Sequence, residues 1–365
     1  MKVIVAAGGT GGHIYPALAI INKIKEKESD SEFLYIGTSD RMEKDIIPNL
    51  GIKFIGLEMT GLNRSNPLSN IEVFRKFNNA IKASRKIIKE FKPDVVVGAG
   101  VYITAPVLYA AHKEGIPTLI HEQNSIPGVS NKFIGGFANR ICVSLPNSVN
   151  LFPKDKVVYT GNPRSEEIIK VDKLSKTKLG FKKDKKLVVV VMGSLGSTTM
   201  TKKIKELIPA FNGKDYQVLI ITGKKYYDDY KDMELDDNVK IVPFMENLIN
   251  LLKDSDLIVS RAGASTIAEI TAIGLPAILV PSPYVTNNHQ YKNAKELEDA
   301  GACKIVTEEK FSKDTIIAEI DKLFSNEKEY DNMVKNSKKL GITDSATRIY
   351  DEVKRIIRWL YERDS

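Results

Sequence analysis

The sequence predicts an α/β protein made of two doubly wound, Rossmann-like halves, and three observations carry that expectation. Short apolar runs alternate with amphipathic stretches along the whole chain, the pattern of parallel sheets wound with crossover helices. At 365 residues the chain exceeds one ordinary α/β core and suits two domains of roughly 150 to 180 residues. Each half opens on an apolar strand that runs into a turn of small residues, Val3 to Ala7 into Gly8-Gly-Thr-Gly-Gly12 and Leu187 to Met192 into Gly193-Ser-Leu-Gly-Ser197. Ligands of such sheets bind beyond the carboxyl ends of the strands. Two halves facing each other would therefore set both turns on one interdomain cleft.

In the first half, strands are expected at Val3 to Ala7, Phe33 to Ile36, Lys53 to Ile55, Val95 to Gly98, Thr118 to His121, Arg140 to Val143 and Val157 to Thr160. The second series follows the Gly161-Asn-Pro163 break, at Leu187 to Met192, Val218 to Thr222, Lys240 to Val242, Leu257 to Val259, Ala277 to Val280 and Lys304 to Val306. The first helix is expected near Pro16, and the charged stretch Lys170 to Lys186 reads as a helix plus a surface turn. The expected domains are residues 1–162 and 163–344, with a terminal helix over 345–365 crossing back to the first, anchored by Trp359 and Leu360.

Composition narrows the class. With 42% hydrophobic and 27% charged residues the chain reads as soluble and globular, and no segment approaches the ~20 apolar residues of a membrane span. The first strand starts at Lys2, which leaves no room for a signal peptide. Cys142 and Cys303 lie far apart in apolar runs, as buried thiols do. A net charge of +8 favours an anionic partner, and the cations cluster in Phe74 to Lys89. No nucleic-acid signature accompanies them, and aromatic residues are too sparse to suggest a base-stacking surface.

The first glycine turn lets the backbone approach a bound anion at a helix N-terminus, so a phosphate-bearing ligand is the first hypothesis; a tight structural turn is the other. The dinucleotide fingerprint fits poorly, because Gly9-x-Gly11-x-x-Ile14 lacks the third glycine and the second strand ends in Gly37-Thr38 rather than an acidic residue. His13 stands where an imidazole could reach a reacting group. In the second half, Ser260-Arg-Ala-Gly-Ala-Ser-Thr-Ile-Ala-Glu269 could bring helix amides to a diphosphate and Glu269 to a ribose diol, although Thr266-x-x-Glu269 equally has capping-box spacing. Asn287-Asn-His-Gln290 suits sugar hydroxyls, with His289 and Gln290 foremost, or else an N-cap cluster at Asn287 and Asn288. His121-Glu-Gln-Asn124 and Asn131 lie at the end of a buried strand, with His121 itself read as a core histidine. The four histidines have no metal-ligand spacing.

Taken together with Gly161-Asn-Pro163, Gly274-Leu-Pro276 and His289-Gln-Tyr-Lys-Asn-Ala294, these motifs resemble, in order and spacing from Met1 to about Ala302, the bacterial peptidoglycan glycosyltransferases of family 28. The resemblance implies a GT-B fold and inverting, β-1,4-forming transfer of N-acetylglucosamine from UDP-N-acetylglucosamine to undecaprenyl-linked lipid I, giving lipid II. It also implies work at the cytoplasmic face of the cell membrane, with no protein-bound metal or other cofactor. Matched residue by residue, it places Thr10, Gly11, Gly12 and Asn124 at the donor site. Ser194 would meet the diphosphate, the Met245 backbone the uracil, Ala264, Ser265, Thr266 and Glu269 the diphosphate and ribose, and Gln290 the sugar. Arg164 follows Pro163 directly where many members have one residue between, and Met192-Gly-Ser-Leu-Gly-Ser197 departs from the usual Gly-Gly-Ser-Gln-Gly-Ala, which leaves Ser197 and Arg164 open as donor contacts. His13 is the expected base, with Glu122 as orienting partner or substitute. Leu68, Ile71, Phe74 and Phe77 recur at near-helical spacing beside Arg75, Lys76 and Lys82, as an interfacial membrane patch or as an inward-packed amphipathic helix. An oxidoreductase or sugar-nucleotide epimerase, a silent membrane-associated binding module and a lipid glycosyltransferase with another acceptor are the competing readings.

Overall fold

The computed structural model describes residues 1–62, 70–192 and 198–364. The chain divides into two units, Met1–Arg164 with Asp344–Ser365, and Ser165–Thr343.

In the first unit β1 (Lys2–Ala6), α1 (Gly11–Lys27), β2 (Glu32–Thr38), α2 (Glu43–Asn49) and β3 (Lys53–Leu57) form one wing. The other wing holds α3 (Asn70–Phe91), β4 (Val95–Gly98), α4 (Thr104–Lys113), β5 (Thr118–Glu122), α5 (Val129–Gly135), β6 (Arg140–Val143), α6 (Pro146–Val149) and β7 (Val157–Tyr159). The sheet order is β3-β2-β1-β4-β5-β6-β7, and every pair is parallel. Its central strands are buried on both faces, which is why they read as unbroken Val/Ile runs. The order reverses between β1 and β4, and the crevice at such a switch point is where this architecture binds ligands.

The second unit continues α7 (Arg164–Lys170) into β8 (Leu187–Val191), α8 (Thr198–Leu207), β9 (Gln217–Ile221), β10 (Val239–Val242), α9 (Leu248–Leu252) and β11 (Leu257–Ser260). It closes with α10 (Ala264–Ile273), β12 (Ala277–Leu279), α11 (His289–Asp299), β13 (Lys304–Ile305), α12 (Lys313–Ser325) and α13 (Glu327–Leu340). Its sheet runs β10-β9-β8-β11-β12-β13, again all parallel, with the switch between β8 and β11. Each expected strand is present, with bounds shifted by no more than two residues.

The last helix, α14 (Ser345–Asp364), belongs to the first unit. Ile349, Val353 and Ile356 enter its core beside Ile14 and Ile21, each contributing about 1.5 to 3 kcal/mol of burial. Glu28 accepts from Tyr350 Oη at 3.0 Å and Lys354 Nζ at 2.6 Å, and Arg140 pairs with Glu352 at 2.8 Å. The expected Trp359 anchor is instead 50% exposed, and the Leu360 side chain lies outside the described residues.

Two local expectations are corrected. Helix α1 starts at Gly11, so Pro16 lies inside it, where it has no N–H to offer the Gly12 carbonyl. The stretch after Lys170 holds no long helix, only a single 3₁₀ turn, Lys176–Leu179, closed by Gly180 at φ 77°. Cys142 and Cys303 are buried free thiols.

Candidate active site

The β1–α1 turn is held from behind by a group the sequence did not advertise. The Glu43 carboxylate, fully buried, accepts from Gly9 N at 3.0 Å, Thr38 N at 2.9 Å and Thr38 Oγ1 at 2.6 Å. Glycine is required twice here: Gly9 has φ 83°, and a side chain on Gly8 would collide with Glu43. Thr10, exposed and extended, is the N-cap of α1 without a side-chain cap bond, so its side chain does not satisfy the first-turn amides.

His13 sits in that first turn. Its Nδ1 lies 3.0 Å from the Ala99 carbonyl, and because a carbonyl only accepts, Nδ1 carries the proton and Nε2 the lone pair. Burial lowers the imidazole's pKa below its ordinary value, outweighing the Ala99 carbonyl and the nearby Gln123 amide, which raise it. The ring is therefore neutral near pH 7, the form a general base needs. Ala99 belongs to the β4–α4 turn, where Gly100 has φ 102° and Val101 φ 73°. A β-branched residue in that region costs on the order of 1 to 3 kcal/mol, and its methyl groups approach Gly9.

The β5 end behaves differently from expectation. Glu122 is buried, and its carboxylate accepts from Asn124 N (3.0 Å), Asn124 Nδ2 (3.3 Å), Gly128 N (3.1 Å) and Asn131 Nδ2 (2.8 Å). It thus braces the loop into α5 and makes no hydrogen bond to His13, whose Nδ1 is held instead by the Ala99 carbonyl. Desolvation raises its pKa against those four bonds. Asn124, expected at the donor, is engaged with Glu122. His121 is fully buried, with Nε2 between Gly161 O (3.2 Å) and Ser144 Oγ (3.1 Å), while its Nδ1 has no hydrogen-bond partner among the described residues. Burial above all holds its pKa down at about 4.

In the second unit the switch-point strand β11 leads into α10, whose N-cap is Gly263. Thr266 is the third helical residue rather than the cap, so Thr266 and Glu269 form no capping box. The amides of Ala264, Ser265 and Thr266 precede the first intrahelical donor, Ile267 N to Gly263 O at 3.0 Å. Among the described residues Ser265 Oγ is buried without a hydrogen-bond partner, as fits a group awaiting a ligand. Glu269 is half-buried one turn further along. A buried ion pair, Arg261 to Glu308 at 2.7 Å with Arg261 Nη1 donating to Val280 O at 3.1 Å, locks the ends of β11 and β12 together.

Gln290 Oε1 accepts from Ser282 N at 2.9 Å, which directs the Nε2 end of the amide away from that contact. Asn287 and Asn288 are both left-handed, at φ 56° and 51°, and Asn288 caps α11 in position only, with no side-chain cap bond. His289 is half-buried, its Nδ1 2.9 Å from Thr286 O. Met245 is half-buried in the turn after β10, next to exposed Phe244. Arg164 stacks on Tyr15 at 5.5 Å, and its N–H donates to Asn162 Oδ1 at 3.1 Å. Ser194 and Ser197 lie outside the described residues.

On α3, Ile71 and Phe74 are 72% and 61% exposed, but Phe77 packs against Met59, Ala80 and Ile103 and edge-on to Phe133, so it is not part of an exposed patch. Lys82 is exposed and Lys76 half-exposed; Arg75 is bound to Glu72 at 2.7 and 2.8 Å. Leu68 lies outside the described residues. No helix among those described is long and apolar enough to cross a membrane.

Two switch-point turns, one carrying a neutral imidazole and the other an uncapped helix N-terminus, are the equipment of a nucleotide-sugar glycosyltransferase. Residues 3–143 match the N-terminal domain of glycosyltransferase family 28 and residues 187–349 its C-terminal domain, and the chain belongs to that family. It is 42% identical over 363 residues to the UDP-N-acetylglucosamine--N-acetylmuramyl-(pentapeptide) pyrophosphoryl-undecaprenol N-acetylglucosamine transferase of Bacillus cytotoxicus, covering 98% of this chain and all of that protein. The enzyme of the same name from Leuconostoc citreum is 45% identical, over 96% of this chain and 97% of its own. The crystal structure of Acinetobacter baumannii MurG superposes with a TM-score of 0.79 at 25% identity, covering 97% and 99% of the two chains. A Neisseria meningitidis UDP-GlcNAc 2-epimerase shares the fold alone, at 18% identity and a TM-score of 0.65 over 97% of this chain and all of its own.

Proposed function

We propose that this chain moves N-acetylglucosamine from UDP-N-acetylglucosamine to the C4 hydroxyl of the N-acetylmuramoyl unit of lipid I, giving lipid II for peptidoglycan. The observation that carries the proposal is identity of 42% and 45%, along essentially the whole chain, to two transferases named for that reaction. The site chemistry agrees with a single inverting displacement. The acceptor O4 attacks the anomeric carbon, the bond from that carbon to the diphosphate oxygen breaks, and the acceptor proton passes to His13 Nε2. UDP leaves with the bonding electron pair, and its growing charge is met by the α10 amides of Ala264 to Thr266 and by Ser265 Oγ.

Within this reading Glu269 accepts the ribose hydroxyls, Gln290 Nε2 addresses the sugar and the Met245 backbone faces the uracil. Thr10, Gly11 and Gly12 contact the donor, and Ser194 adds a hydroxyl to the diphosphate. Asn124 acts through the Glu122 loop, and Arg164 keeps the Tyr15 edge in place. The enzyme works at the cytoplasmic face of the cell membrane, with exposed Ile71 and Phe74 and the cations Arg75, Lys76 and Lys82 meeting an anionic lipid surface; it has no nucleic-acid partner.

The deciding experiment is transfer of labelled N-acetylglucosamine from UDP to a short-chain lipid I analogue. Formation of the disaccharide-linked lipid with release of UDP supports the proposal. UDP release without acceptor, or interconversion of the free sugar nucleotide, would replace it with the epimerase reading that the shared fold permits.

A further inference from the structure

The His13 ring is oriented by a backbone carbonyl rather than by a carboxylate, and that carbonyl carries a second donor. Gln123 Nε2 donates to Ala99 O at 2.8 Å, while His13 Nδ1 lies 3.0 Å from the same oxygen. The two lone pairs of a carbonyl accommodate both donors. Gln123 is 1% exposed. Ala99 N–H continues the β1 ladder through Ala6 O at 2.9 Å, and the φ of 102° at Gly100 turns the chain immediately after. A methyl group built on Gly100 would fall 2.5 Å from His13 Nδ1 and 3.5 Å from Gln123 Oε1, so imidazole, amide and turn share one small space.

We infer that Gln123 is a positioning residue for the reaction: by fixing the Ala99 carbonyl it holds His13 in the Nδ1–H tautomer and leaves the lone pair on Nε2. The inference rests on the reading of His13 as the base. Without the amide, the Ala99–Gly100 peptide plane loses its second anchor at a turn that glycine leaves free to rotate, and the ring gains access to the Nε2–H tautomer, which has no lone pair at the working nitrogen. Loss of an orienting partner through the wrong tautomer is a known route to large rate losses in hydrolases that use histidine.

The test is nitrogen-15 NMR of histidine-labelled resting enzyme, the His13 signals being assigned by their absence in His13→Ala, together with steady-state kinetics of Gln123→Met and Gln123→Leu. The wild type is expected to show Nδ1–H only. The variants are expected to show a mixture of tautomers, with kcat lowered about 10 to 100-fold and KM for UDP-N-acetylglucosamine within about 2-fold. Either folded variant suffices, since both remove the amide. An Nε2–H tautomer in the wild type, an unchanged tautomer in a folded variant, or kcat within 2-fold of wild type would overturn the inference. Failure of the underlying reading has its own signature: His13→Ala would then turn over within a few fold of wild type.

Discussion

The β1–α1 and β11–α10 turns occupy the same place in their respective sheets, yet they are equipped for different work. Both sit at a switch point, and both open a helix whose first turn has no side-chain cap. The first is backed by the buried Glu43 carboxylate, which already engages Gly9 N, and it carries His13. The second has small residues throughout its first turn and a buried hydroxyl without a hydrogen-bond partner among the described residues. A carboxylate behind a turn opposes a multiply charged anion in front of it, whereas uncapped helix amides favour one. Under the proposed function, one architecture would serve proton transfer in one unit and anion binding in the other.

The sharpest way to break this comparison is His13→Ala. Turnover should fall about 10² to 10⁴-fold with UDP affinity nearly unchanged, the range for a general base, measured by initial rates and by calorimetry with UDP. The pH profile supplies a second check. The base works only when neutral, so activity is present above its pKa and lost as pH falls through it. Burial places that pKa below 6.5, so the acid limb of kcat/KM should lie below pH 6.5. A limb above that value would mean that burial does not govern the ring.

The two units should also differ in their response to acid. His121 titrates at about 4 in the fold against 6.5 in the unfolded chain, so the unfolded state binds more protons between those values and stability declines as pH falls from 6.5 to 4. The shift corresponds to about 3 kcal/mol. Hydrogen exchange should show β5 losing protection across that window while β11 does not, and His121→Gln should flatten the loss in β5. Equal losses in the two sheets would show that another group controls acid sensitivity.

Much of this was legible in the sequence, and the misses have physical causes. Every strand was readable because parallel strands buried on both faces are apolar runs bounded by breakers. The start of α1 was misplaced because Pro16 reads as a first-turn residue, while the true cap is Thr10 with glycines behind it. The capping box at Thr266 was a spacing match one turn too far into the helix. His13 and the Gly263 turn were visible because their chemistry is local in sequence. Glu43, 34 residues from Gly9, and the Arg261–Glu308 pair were not, since nothing near a carboxylate in the chain reveals which amides or cations it meets across the fold. Glu122 reads as a partner of His13 from its place at the end of a buried strand, whereas its hydrogen bonds go to the loop it closes, which its sequence neighbours do not reveal.

Glu269 tests the anion side of the comparison. If it holds the ribose diol, Glu269→Ala should weaken UDP-N-acetylglucosamine binding by about 1.5 to 3 kcal/mol, the scale for hydrogen bonds to a charged group. The capping-box alternative would have made the loss one of stability; with Gly263 as cap, thermal unfolding should hardly move. Calorimetry showing unchanged affinity in the folded variant would remove Glu269 from the donor site.

The smallest effects concern α3, where a proposed membrane surface and ordinary helix packing meet along one element. Phe77 is turned inward, so Phe77→Ser should destabilise the fold without a specific effect on vesicles, whereas Phe74, 61% exposed, should do the opposite. The cations are not equivalent either. Each basic residue at an anionic surface contributes on the order of 1 kcal/mol, which should hold for Lys76 and Lys82. Arg75 already spans Glu72 with two hydrogen bonds, and that carboxylate cancels most of its field at the lipid. Arg75→Gln should therefore weaken co-sedimentation with anionic liposomes less than Lys76→Gln does, and Glu72→Gln should strengthen it. All of these differences should shrink as salt rises, because exposed charges are screened within about 10 Å at 0.1 M ionic strength. Equal binding of all three variants, or equal binding to neutral and anionic vesicles, would return α3 to the role of a packed helix with a solvated basic face.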